Sequence, residues 1–344
     1  MLNDDHLTEY AGLPVVEYSS QSNADDPSPG LPEALAGPAS VAWRLRTEMW
    51  LGDEEEPFKD YFPRFLAEVD TSRVRALVIG TWDYAFESTP PTEVRDLLVA
   101  HADRFPALRS LFVGDITDEE LHISWIGQDD LSPLLTAFPR LTAFGARGGQ
   151  HLRLHVPEHA CLRRLTLETG GLSAETARGV VTSRLPELEH LELVLGMENY
   201  GCRTDPEVLA EVLAGTAFPR LRSLGLRSTE RTDTWVRALA EAPLLPRLRV
   251  LDLSLGTLTD RGARILLDTG AFRGLERLDL HHAYLSDGVR EELRAACAAS
   301  GTELDLSHDQ EPEESFERGD DKEEDESWDE YYAEAFPYYP AVGE

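Results

Sequence analysis

One pattern limits what this chain can fold into more than any other: a short frame, LxxLxL, that returns at near-regular intervals. Clear copies begin at Leu108, Leu162, Leu188, Leu221, Leu248 and Leu275, weaker ones at Val74 and Leu141, and a partial copy ends at Leu306. The fourth position of each frame falls at residues 77, 111, 144, 165, 191, 224, 251, 278 and 304, in steps of 34, 33, 21, 26, 33, 27, 27 and 26. In an extended segment alternate side chains point to opposite faces, so the leucines of a frame share one face. No single copy can bury them. Stacked copies can, by pairing as a parallel sheet over a shared apolar spine.

The segments between frames read as helices. Thr259–Thr269 opens on Thr259 and Asp260 as capping residues and turns Ile265, Leu266 and Leu267 inward, and Ser286–Ala299 repeats the design. Further helices are expected over Thr92–Arg104, Asp205–Ala214 and Asp233–Ala242. A second repeated signal precedes the strands: Phe105-Pro106, Phe138-Pro139, Leu185-Pro186, Phe218-Pro219 and Leu245-Pro246. Proline disfavours helical geometry in the residue before it and removes an amide donor, so each pair stops a helix just ahead of a strand.

The frames, with the turn Leu258-Thr259-Asp260-Arg261-Gly262 and its near copy Leu285-Ser286-Asp287-Gly288, resemble the ribonuclease-inhibitor-like branch of the leucine-rich-repeat proteins. The resemblance spans roughly Val74 to His308. It implies an α/β solenoid: a curved parallel sheet of about nine strands, with helices on the convex side. The whole-chain layout is similar to an uncharacterised bacterial cytoplasmic leucine-rich-repeat family. The copy at Leu141 is irregular, with Gly145, Gly148 and Gly149, and its 21-residue step leaves little room for a helix.

Three regions follow: an N-terminal cap over residues 1–73, the repeat domain over 74–308, and an acidic tail over 309–344. In the cap, Val41–Leu45 alternates like a strand and Phe58–Val69 has helical apolar spacing. The tail holds 15 acidic residues against Arg318 and Lys322, a composition expected to stay largely unfolded. Its aromatics, Trp328, Tyr331 and Tyr332 among them, give it anchors for a partner or for folding back onto the repeats and blocking them.

Charge and cysteine content narrow the function. A formal net charge of −32 disfavours nucleic acid and anionic membranes as partners. No run approaches the ~18 uncharged apolar residues of a membrane-crossing helix. The first ten residues include Asp4, Asp5, His6 and Glu9, unlike a secretory signal. Three widely spaced cysteines, Cys161, Cys202 and Cys297, fit a reducing cytoplasm rather than a disulfide framework.

No nucleophile-elbow, zincin, P-loop or dinucleotide motif occurs, so no catalytic residue, metal or cofactor is assigned. What remains is the face of the strands opposite the leucines, where solenoids bind their partners. Glu192, Arg227, Asp252, Ser254, Asp279, His281 and Asp305 fall there. Neighbouring strands lie about 4.8 Å apart, so the aspartates stack into an acidic column bordered by histidines. The expected function is a monomeric, non-enzymatic protein-interaction scaffold whose partner has a basic surface. The alternative is a metal-binding or enzymatic site on these Asp/His-rich C-terminal repeats. His151, His155, His159 and Cys161, interrupted by Pro157, read as exposed loop residues rather than a zinc site.

Overall fold

The computed structural model describes residues 5–18, 28–47, 56–82, 92–311 and 338–341. Its strands are β1 (Glu9–Tyr10), β2 (Leu13–Glu17), β3 (Ala42–Leu45), β4 (Ala76–Ile79), β5 (Ser110–Val113), β6 (Ala143–Arg147), β7 (Arg164–Glu168), β8 (His190–Gly196), β9 (Ser223–Thr229), β10 (Val250–Asp252), β11 (Arg277–Asp279) and β12 (Glu303–Asp305). All twelve form one sheet, each strand beside the next in chain order. β1 and β2 run antiparallel; every later pair is parallel.

Register follows the LxxLxL frames. Leu77, Leu111, Phe144, Leu165, Leu191, Leu224, Leu251, Leu278 and Leu304 lie side by side across the sheet, and all but Leu304 are buried. A one-residue slip would turn every leucine to the other face, so the core itself enforces this alignment.

The sheet is larger than the nine strands expected. Its three additional strands come from the segment read as a cap, and β2 has no leucine frame. The adjacent valines of β2 face opposite sides instead, Val16 toward the main core and Val15 toward a small cluster on the other face.

Helices carry the chain between strands: α1 (Leu31–Ala36), α2 (Phe58–Glu68), α3 (Thr92–Ala100), α4 (Ser132–Ala137), α5 (Ala174–Val181), α6 (Ala210–Leu213), α7 (Thr232–Ala240), α8 (Asp260–Thr269) and α9 (Asp287–Ser300). They bury side chains with the strand leucines in one continuous core. Each fully buried leucine contributes roughly 1.5–3 kcal/mol. In α8 the Thr259 hydroxyl accepts from the Arg261 amide at 3.2 Å, and Gly270 ends the helix at φ 59°. Expected over Asp205–Ala214, α6 keeps only one turn. The Asp205 carboxylate accepts from the Val208 amide at 2.9 Å, a cap on the turn that leads into α6. Two of the Phe-Pro phenylalanines seal the layers: Phe105 and Phe138 meet with ring centroids 6.4 Å apart, and Phe62 of α2 stacks on Phe105 at 6.3 Å.

Between β6 and β7 the chain crosses without an α-helix. His159 takes over part of the helix's task and is buried, not exposed as the sequence implied. Its Nε2 donates to the Phe138 carbonyl at 3.2 Å, and its Nδ1 accepts from the Leu162 amide at 3.1 Å. Burial lowers its pKa, consistent with that neutral tautomer.

Candidate functional site

The helices leave the opposite face of the sheet, the outer face, to other coverings. At its N-terminal end Leu7, Tyr10, Leu13 and Val15 pack on Ala42, Ala76, Val78 and Phe112. Tyr10 donates to the Leu111 carbonyl at 2.9 Å and meets the Phe112 ring edge-on at 5.9 Å. Asp115, fully buried, anchors this strap: its carboxylate accepts from the Leu7 amide at 3.1 Å and from Arg44 at 2.9 Å. No sequence signal marked this arrangement, because it joins residues more than a hundred positions apart.

Beyond the strap an open groove of about 890 Å³ runs over β5 to β8. Tyr10 and Phe112 close one end, Thr166 and Gly145 lie along its floor, and Arg75, Arg163 and Arg164 are exposed at its edge. A Cβ at Gly145 would stand 2.4 Å from the Phe112 ring, so a side chain there would force that ring to move.

The residues singled out in the sequence lie further along and are brought together in two ion networks. Arg227 on β9 reaches Glu192 on β8 at 2.6 Å, Asp252 on β10 at 3.4 Å, and the Ser254 hydroxyl at 3.0 Å. Burial pushes the Glu192 carboxyl up, but His190 and Arg227 outweigh it and hold it at about 2. Burial pushes the Asp252 carboxyl up despite Arg227. On β11 Asp279 accepts from the His281 ring at 2.7 Å and from Arg277 at 2.9 Å. Burial opposes ionisation there too, yet His281 and Arg277 hold Asp279 at about 2.

The aspartate column has a structural task. Asp252, Asp279 and Asp305 each accept from the backbone amide two residues on, Ser254, His281 and Ser307, at 2.9, 3.2 and 3.0 Å. The same Asx turn thus ends three successive strands, and the residue after each turn, Leu255, His282 or His308, takes φ near +60°. The column is therefore ion-paired and hydrogen-bonded rather than free acid. Donor atoms of Asp279, His281 and Asp305 fall within 4.8 Å of one another. Arg277 lies 2.9 Å from Asp279 and 3.6 Å from Asp305, a guanidinium that opposes a cation in the same space. Cys297 is buried and its thiol pushed up to about 11, so it stays protonated at neutral pH. Trp328, Tyr331 and Tyr332 lie outside the described residues.

These features define an α/β protein whose single sheet has one face under helices and another partly covered by the chain's own ends. No family model matches the sequence, and no curated protein does. The chain is similar to a solved structural-genomics protein of Bacteroides fragilis, with 29% identity and a TM-score of 0.71, over 83% of this chain and 73% of that one. An internalin from Listeria monocytogenes aligns over 70% of this chain and 76% of that one, with 14% identity and a TM-score of 0.34, too low to carry an argument. Among the described residues no helix is long and apolar enough to cross a membrane.

Proposed function

We propose that this chain is a leucine-rich-repeat solenoid acting as a non-enzymatic scaffold, and that it holds a partner protein in the groove of its outer, concave face. The observation that carries the reading is the groove itself: about 890 Å³, open over β5 to β8, between a strapped N-terminal end and the ion networks of the C-terminal end. Tyr10 offers an aromatic contact at one end, and the exposed Arg75 and Arg164, with Arg163 beside Glu189, suit carboxylate or carbonyl oxygens of an inserted segment. The net charge of −32 favours a partner whose wider surface is basic, through steering at long range. Three unpaired cysteines fit a cytoplasmic site of action.

Capture from a native extract tests this. Full-length protein should retain one stoichiometric partner, and Arg163→Glu with Arg164→Glu should reduce retention at least tenfold while leaving the melting temperature within a few degrees. Equal retention by the variant would remove the groove from the account.

A further inference from the structure

Resting on the docking reading, we propose a second binding site, beside the segments that follow β10 and β11, for an extended peptide carrying an aromatic–proline–small-residue stretch. In the resting molecule residues 338–341 of the same chain occupy it. The contacts are those of peptide recognition rather than of chance proximity. One hydroxyl reads both main-chain polar atoms of one residue: Tyr284 donates to the Tyr339 carbonyl at 2.7 Å and accepts from the Tyr339 amide at 3.0 Å. The Ala341 amide donates to the Leu255 carbonyl at 2.8 Å. Leu255 sits at φ 63°, the left-handed end of its Asx turn.

Side chains add to the backbone pairing. The Tyr338 ring meets Tyr284 edge-on at 5.0 Å, Pro340 is buried, and Ala341 packs with Ile123, Val194 and Leu255. Tyr339 itself is 43% exposed, so its main chain is what the site holds. Beside Ala341 an open cavity of about 500 Å³, bordered by Arg227, His281, His282 and His308, leaves room for a ligand longer than these four residues.

The hold is small enough to be displaced. It consists of a few hydrogen bonds and three packed residues, separated from Glu311 by 26 residues. Covalent attachment to the same chain supplies an effective concentration on the order of millimolar, so an untethered peptide of the same chemistry competes in that range.

The probe is a fluorescent peptide with the sequence of residues 338–344, titrated to millimolar concentration against three full-length proteins: wild type, a released form carrying Pro340→Asp and Ala341→Arg, and the released form with Tyr284→Phe added. The released form should bind the peptide at least fivefold more tightly than wild type, and Tyr284→Phe should weaken that binding several-fold. Amide exchange at Ala341 in otherwise wild-type Tyr284→Phe gives a second reading that does not depend on the released form folding well, and it should accelerate at least tenfold. Equal binding to wild type and released form, no binding to either, or unchanged exchange at Ala341 would overturn the proposal. Because no partner is present in these measurements, peptide binding by a chain that captures no partner would leave this site standing and remove the scaffold reading.

Discussion

Replacing Arg227 by Met deletes a cation that serves two carboxylates and keeps most of the apolar stem in place. Glu192 lies 2.6 Å and Asp252 3.4 Å from the guanidinium, on the strands to either side. Removing one partner of a fully buried pair costs roughly 3–5 kcal/mol, because the other charge is left uncompensated. The Arg227 and Glu192 side chains are 15% and 19% exposed. Residual solvent access lowers the expected loss to about 2–4 kcal/mol. At about 1.5 °C per kcal/mol for a chain of this size, the melting temperature falls by about 3–6 °C at neutral pH. Without Arg227 the Glu192 carboxyl moves up from about 2, although His190 still lowers it, so the penalty should shrink as the pH is brought from 7 to about 4.5. Urea unfolding at both pH values, with Glu192→Gln completing a double-mutant cycle, measures this. A loss below 1 kcal/mol, or one that does not shrink with acid, would refute the claim that Arg227 holds these strands together electrostatically.

Three further outcomes follow from the geometry. Gly145→Ala should cost about 1–3 kcal/mol in chemical unfolding, because the Phe112 ring, packed edge-on against Tyr10, must shift to make room, and Phe112→Leu should recover much of it. Glu192 and Asp279 both ionise near 2 in the folded chain, below their usual 4.5 and 3.8, so their stabilisation is complete above about pH 4.5 and lost as pH falls toward 2. Asp252, pushed up by burial, works in the opposite direction, and a titration of unfolding free energy should show the net loss. His159 must stay neutral, so its contribution is present above pH 6.5 and declines as pH falls through its lowered folded value; His159→Gln should flatten that part of the profile.

How much of this was legible in the sequence depends on whether an interaction is written within one repeat or between distant ones. The leucine register, the Phe105 and Phe138 contact and the Thr259 cap are short-range consequences of side-chain alternation, proline sterics and hydroxyl geometry, and each could be read from spacing. The strap of Leu7 and Tyr10 over Phe112 could not, since nothing in residues 5–13 specifies what lies a hundred positions away. The aspartate column shows a subtler limit. Its position was readable, but an Asp that faces solvent and an Asp that accepts from the amide two residues on have the same one-letter pattern. Only the register that sets Arg227 between Glu192 and Asp252 shows that these carboxylates already share a cation.

The central claim is that a partner occupies the outer face. A photo-crosslinking residue installed at Thr166, on the groove floor, and at Arg178, exposed on the helical side, tests it most directly. Irradiation in a native extract should yield one discrete protein adduct from position 166 and none from position 178. Adducts from 178 alone, or equal and heterogeneous adducts from both, would contradict it.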